Sequence, residues 1–204
     1  MAVRRTVATL RGMFGVRIHG RGGQGVVTAA ELLALAAFDE GRHAQAFPSF
    51  GSERMGAPVM AFCRIDDREI RLREPVVTPD ALIIQDPTLL HQVDLFNGLS
   101  KRGYILLNST RGFEELGLGD FMRGFRRERA CTLPATEIAL KCVGRAVPNV
   151  PLIAGFAAIS GELRLESVIA AVRDKFPAAL AEKNVAAAQE AYEMVRKTQE
   201  SAHA

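Results

Sequence analysis

The chain has 204 residues, 48% of them hydrophobic and 24% charged, with a formal net charge of +3 and an isoelectric point near 9.0. That length and balance exclude a disordered chain and supply one ample core. The basic excess is mild and dispersed, tryptophan is absent, and Tyr104 and Tyr192 are the only tyrosines; this excludes a base-stacking nucleic-acid surface and fits an anionic small ligand or an acidic partner.

Residues 1–13 read as a flexible, basic N-terminal arm. Arg4, Arg5 and Arg11 stand there without the apolar stretch of a signal peptide, and Met13 is an alternative start. A first strand is expected over 14–19, where Val16 and Ile18 alternate with Arg17 and His19. A glycine loop over 20–25 then leads into a helix over 26–40. That helix is apolar on nearly every side and so packs between the sheet and neighbouring elements. Thr28 and Glu31 interrupt it, and no stretch of the chain reaches the ~20 apolar residues of a membrane span. Gly41 supplies its stop. A short strand over 43–47 enters a second loop over 48–56. The runs 58–65 and 69–73, joined by Asp66, Asp67 and Arg68, read as an antiparallel hairpin at the sheet edge. Its arginines, Arg64, Arg68, Arg71 and Arg73, read as a solvated face that resists edge-to-edge aggregation. Continuous apolar runs over 81–84 and 104–107 suit strands buried on both faces, and a shorter strand over 131–133 precedes Pro134. Leu165, Val168, Ile169, Val172 and Phe176 recur at helical spacing, as do Val185, Ala188, Tyr192 and Val195.

The expected architecture is α/β: a doubly wound, Rossmann-like, mostly parallel sheet with an antiparallel edge hairpin and C-terminal helices, forming a single domain over 14–200. Ligands of such sheets sit beyond the carboxyl ends of the strands. The turns at 20–25, 49–56, 85–86 and 108–110 belong to that edge.

Gly20, Arg21, Gly22, Gly23, Gln24 and Gly25 satisfy a G-x-G-x-x-G pattern between a strand and a helix. Glycines allow close backbone approach to a phosphate, and the amides of the following helix hold its charge; a tight turn without a ligand is the other reading. A dinucleotide site also needs a carboxylate at the end of the second strand. Asp39 and Glu40 precede that strand, which ends Ala46, Phe47, Pro48, so the loop suits a phosphate ligand better than NAD. In the second loop, Arg54 has the chemistry of a two-pronged phosphate clamp, or else pairs locally with Glu53. His19 is more simply a structural strand-end histidine than a phosphate donor. Cys63, Cys131 and Cys142 are too few and too scattered for an iron–sulfur cluster, so a metal site is not expected. No nucleophile–base–carboxylate set and no thiamine diphosphate motif is present, so no catalytic residue is assigned.

The segments 19–31 (HGRGGQGVVTAAE) and 44–59 (AQAFPSFGSERMGAPV), continued by 85–90 (QDPTLL), 135–139 (ATEIA) and Asn184, resemble the gamma component of 2-oxoacid:ferredoxin oxidoreductases, the pyruvate branch most closely. The resemblance covers roughly residues 14–195. It implies a cytoplasmic, multi-subunit enzyme that converts pyruvate, coenzyme A and oxidised ferredoxin to acetyl-coenzyme A, carbon dioxide and reduced ferredoxin. Thiamine diphosphate, Mg2+ and 4Fe–4S clusters would reside on alpha, beta and ferredoxin-like delta partners. This chain, inactive alone, would bind coenzyme A through 20–25, Arg54 and Gly56 and help close the active site. A branched-chain 2-oxoacid enzyme, a free-standing NAD(P) oxidoreductase and a nucleotide-sensing module are the alternatives.

Overall fold

The computed structural model describes residues 12–49 and 55–203. Alternation along the first strand, β1 (Phe14–Arg21), sets the two faces of the sheet. Val16 and Ile18 point into the larger core, whereas Arg17 and His19 point to the opposite face. Around β1 lie β2 (His43–Pro48), β3 (Pro58–Asp66), β4 (Ala81–Ile84), β5 (Tyr104–Asn108) and β6 (Ala130–Leu133), in the spatial order β2-β3-β1-β4-β5-β6. The pairs β1/β4, β4/β5 and β5/β6 are parallel, and β3 runs antiparallel to both β1 and β2.

The antiparallel edge exists, but its strands are not those expected. Residues 67–73 form no strand. The edge pair is β2 with β3, in register from His43 opposite Asp66 to Pro48 opposite Ala61. The segment 67–73 carries no buried side chain with which to hold a place in the sheet; Arg68, Arg71 and Arg73 are exposed there, as expected. Arg64 is not. It is 4% exposed, its guanidinium lies 5.3 Å from the centre of the Phe47 ring, and Nη2 donates to the carbonyl oxygen of Glu74. A backbone acceptor and an aromatic face together offset the burial of its charge.

One face of the sheet is covered by α1 (Val26–Asp39), α3 (Ala135–Val143), α4 (Asn149–Ser160), α5 (Leu165–Lys175) and α6 (Ala178–His203), whose buried residues merge into one core with Val16, Ile18, Cys63, Ile83 and Leu133. Each fully buried leucine or isoleucine there contributes about 1.5–3 kcal/mol. The opposite face, at Leu82, Ile84 and Leu107, is covered only by the single-turn helix Pro87–His91 and by residues of 95–118; the two-turn-or-shorter α2 (Gly119–Met122) follows on the way to β6. The chain is therefore wound over both faces, with the long helices on one.

Sequence periodicity missed α4 because every side of it is apolar. Val150, Pro151, Leu152, Ile153 and Phe156 are all buried, as befits a helix enclosed between sheet and neighbours. Pro151 falls in the first turn, where its missing N–H costs no helical bond. At Gly155 an added Cβ would lie 2.9 Å from Leu133 Cδ2 and 3.3 Å from Val195 Cγ2. That close approach lets α4 fill the space between β6 and α6.

The glycine-loop crevice as candidate functional site

β1 is two residues longer than expected, because Gly20 and Arg21 still pair with Val59 and Pro58 of β3. The turn proper is 22–25. Gly25 caps α1 in the left-handed region, at φ 73° and ψ 36°, and an added Cβ would lie 2.5 Å from Asn149 Nδ2. No side chain caps the helix and no acidic residue sits in its first turn. The N–H groups of Val26, Val27 and Thr28 therefore have no partner within the helix, and no acidic residue of its first turn opposes the positive end of its dipole. These three residues, with Arg21, Gly23, Gly25 and Val59, line a cavity of about 250 Å3. Its size and donors suit a phosphate or diphosphate.

The second loop is bound to the first by backbone. Gly22 N donates to Ala57 O at 2.9 Å, and Gly56 N donates to Gly22 O at 3.1 Å. Gly22 thus spends its amide on the second loop rather than on an open site. Gly56, at φ 78°, brings the chain back toward β3. The Met55 side chain is 85% exposed, and its Cε lies 2.8 Å from where a Cβ on Gly23 would stand. Phe50, Gly51, Ser52, Glu53 and Arg54 lie outside the described residues, and with them the expected clamp.

Arg21 is the hub of the crevice. Its Nη1 donates to Gly56 O at 3.0 Å, and Nη2 donates to Thr88 Oγ1 at 2.7 Å and to Gln92 Oε1 at 3.0 Å. Its Nε lies 3.2 Å from both Thr88 Oγ1 and Asp86 Oδ2. One planar guanidinium thereby joins the turns that follow β1, β2 and β4, a geometry lysine cannot reproduce. Gln24 reinforces the joint: Oε1 accepts from Arg21 N and Nε2 donates to Asp86 Oδ2, each at 2.8 Å. Gln24 and the Arg21 guanidinium are thus engaged by the protein and shape the cavity. Burial pushes the Asp86 carboxyl up. The hydrogen bonds from Thr88 and Gln24 and the Arg21 charge outweigh that and hold it below its ordinary value.

Three polar residues lie beneath these loops. Asn108 Nδ2 donates to Gln85 O and to Thr136 Oγ1, both at 2.7 Å, lacing β4 and β5 to α3. Gln85 is fully buried, its Cβ 3.1 Å from the position of a Gly20 Cβ, and neither atom of its side-chain amide has a hydrogen-bond partner. Native interiors seldom keep such a group without a role; the sequence signal, a glutamine directly after an apolar strand, was visible only as a polar turn. His19 is buried, and burial first, then the Arg17 charge, lowers its pKa to about 4. It is a neutral structural residue at physiological pH. Burial likewise raises Cys63 to about 12 and Cys131 to about 11, and no group of potential metal ligands occurs among the described residues.

The structure thus brings together Gly20, Arg21, Gly22, Gly23, Gln24, Gly25 and Gly56. Connections leave β1 over the helical face and β4 over the other, so the crevice between the turns at 22–25 and 85–92 is a topological switch point, where open α/β sheets bind ligands.

Comparison with known proteins agrees with this fold and gives the family. The sequence model of the family described as "Pyruvate ferredoxin/flavodoxin oxidoreductase" matches residues 15–194. The pyruvate synthase subunit PorC of Methanothermobacter thermautotrophicus is 45% identical over 185 residues, covering 91% of this chain and 97% of that protein. The pyruvate/ketoisovalerate oxidoreductases common subunit gamma of Pyrococcus abyssi is 44% identical, covering 89% and 96%. Among solved structures, the pyruvate oxidoreductase subunit PORC of Thermotoga maritima superposes with a TM-score of 0.75 at 34% identity, covering 90% of this chain and 97% of that one. The 2-oxoglutarate:ferredoxin oxidoreductase of Magnetococcus marinus shares the fold with a TM-score of 0.71 at 15% identity, over 92% of this chain and 32% of that one. With a family match over most of its length, and with relatives this similar along nearly their whole length, the chain belongs to the pyruvate ferredoxin/flavodoxin oxidoreductase family as a gamma-type subunit.

Proposed function

We propose that this chain binds coenzyme A for a pyruvate:ferredoxin oxidoreductase and helps close that enzyme's active site. The observation that carries the reading is the uncapped start of α1, with three amides lacking helical partners beside a cavity sized for a diphosphate. Coenzyme A brings such a diphosphate and does not require the second-strand carboxylate that this chain lacks. The overall reaction takes pyruvate, coenzyme A and two oxidised ferredoxins to acetyl-coenzyme A, carbon dioxide, two reduced ferredoxins and a proton.

Residues 14–200 serve as a single gamma-type domain in a cytoplasmic complex with alpha, beta and ferredoxin-like delta subunits. Thiamine diphosphate, Mg2+ and the 4Fe–4S clusters reside on those partners. Two of the three cysteines here are buried, with thiols pushed above their ordinary range, and they cannot supply a cluster. The names of the relatives, pyruvate synthase and pyruvate/ketoisovalerate oxidoreductase, support a short-chain 2-oxoacid, and pyruvate is the one we assign. The related Magnetococcus enzyme was solved with coenzyme A bound, which is in keeping with the reading. The role of this chain is to bind and orient the thiol carrier, since no nucleophile–base pair stands in the crevice among the described residues.

Thr28→Glu tests the site. A carboxylate in the first turn suits the helix dipole and leaves the fold intact, while its charge opposes a phosphate. The dissociation constant of coenzyme A for the assembled enzyme should rise at least about tenfold, equivalent to about 1.4 kcal/mol. Unchanged affinity in the folded variant would place the carrier elsewhere.

A further inference from the structure

β3 is hydrogen-bonded on both sides, to β1 and to β2, so the chain that leaves it at Asp66 has no place beside it in the sheet. Residues 69–73 instead run on without helix, turn or bend, between bends at 67–68 and at 74. Four of these five side chains are exposed, and Ile70 is half-buried. No main-chain N–H or C=O group of the five is bonded to another main-chain group among the described residues. A straight, exposed segment with an open row of donors and acceptors is a template for another strand.

The residues there select that strand. Read outward from Arg71, residues 68–74 (Arg-Glu-Ile-Arg-Leu-Arg-Glu) are complementary to themselves in the antiparallel sense. With a second copy laid across a two-fold axis at Arg71, Glu69 of one copy stands opposite Arg73 of the other. Ile70 stands opposite Leu72 and Arg68 opposite Glu74, and the symmetry makes every contact twice. Opposite charges and apolar pairs directly across a ladder both favour pairing. A slip of one residue sets Glu69 against Leu72 and Ile70 against Arg71, or Glu69 against Glu74 and Ile70 against Arg73, so the register is specified. The two Arg71 side chains meet at the axis, but each is already paired with its own Glu69, Nη2 lying 3.0 Å from Oε2.

Apolar surface lies open beside the segment. Leu72, Met13 and Val77 are 45%, 41% and 69% exposed, and all three line one cavity of about 410 Å3. We propose that residues 69–73 pair antiparallel with the same segment of a second copy of this chain, a two-fold contact that joins two gamma-type chains and covers that surface.

The experiment follows the full chain by sedimentation velocity over a concentration series, for the parent, Glu69→Arg, Arg73→Glu and the variant carrying both. Both positions are exposed, so the fold is retained, with circular dichroism as the control. The parent should show a reversible monomer–dimer equilibrium. Each single substitution sets like charges together on both sides of the axis and should raise the dimer dissociation constant about tenfold or more. The double variant exchanges the two charges and restores both contacts, so its constant should return to within about threefold of the parent's. Arg71→Cys should yield a disulfide-linked dimer on oxidation, since facing residues of an antiparallel pair stand about 4.5–5.5 Å apart at Cα. A parent that stays monomeric, single variants that associate as the parent does, or an Arg71→Cys chain that does not cross-link overturns the proposal. A double variant as weak as the single ones also overturns it, because only self-pairing is rescued by the exchange.

Discussion

Replacing Arg21 with alanine removes a side chain that touches the turns after β1, β2 and β4 at once. Three acceptors lose a hydrogen bond, Gly56 O, Thr88 Oγ1 and Gln92 Oε1, and Asp86 Oδ2 loses its ion-pair partner. A hydrogen bond to a neutral acceptor is worth about 0.5–1.5 kcal/mol net, and bonds sharing one group do not add fully. Asp86 keeps its bonds from Gln24 and Thr88 and is not stranded. The expected loss is about 2–3 kcal/mol of unfolding free energy by urea titration. The more specific readout is hydrogen exchange at the Gly22 and Gly56 amides, whose reciprocal contacts with Ala57 and Gly22 hold the second loop. Without the Arg21 bond to Gly56 O, both should exchange about tenfold faster or more, while amides in α4 change only with global stability. Arg21→Lys should behave much like alanine, because one ammonium cannot meet acceptors on three segments. Unchanged exchange at Gly22 and Gly56 in a destabilised variant would refute Arg21 as the tie between the loops.

At Gly25, alanine meets both a left-handed backbone and Asn149 Nδ2 at 2.5 Å, so Gly25→Ala should cost about 2–4 kcal/mol. Adding Asn149→Ala should recover the steric part and not the backbone part; full recovery would show that the backbone conformation carries no strain. For His19, the unfolded ring takes up a proton near its ordinary pKa of 6.5, while the folded ring resists until about 4. The unfolded state binds the extra proton in that window, so stability is lost as pH falls from 6.5 to about 4, by about 3 kcal/mol, and is fully present above 6.5. His19→Gln should flatten that part of the urea-midpoint profile, and an unaltered slope would assign the acid sensitivity to other groups.

The glycine loop, the helix after it and the strands at 81–84 and 104–107 were legible in the residues, because each rests on local chemistry: glycine freedom at φ 73°, an apolar run, a stop at Gly41. The glycine spacing and the paired motif of 44–59 were equally local. Arg64 was misread because exposure is not a property of a residue type. The Phe47 ring and Glu74 carbonyl that accommodate it come from other segments. The same holds for 69–73, which alternates well enough for a strand but forms none. α4 escaped notice for the opposite reason, since a helix buried on every side leaves no periodic signal.

The sequence by itself determined the fold class and the glycine turn, through spacing along the chain, and the family, through the resemblance carried by 19–31 and 44–59. Only the tertiary structure decided which of the turn's groups remain open to a ligand. Arg21, Gln24 and the Gly22 amide are occupied by residues 35 to 71 positions away in the chain or by each other, whereas the first amides of α1 have no partner within their helix. Hydrogen-bond capacity is finite, and its allocation among distant segments is fixed only when the chain closes on itself.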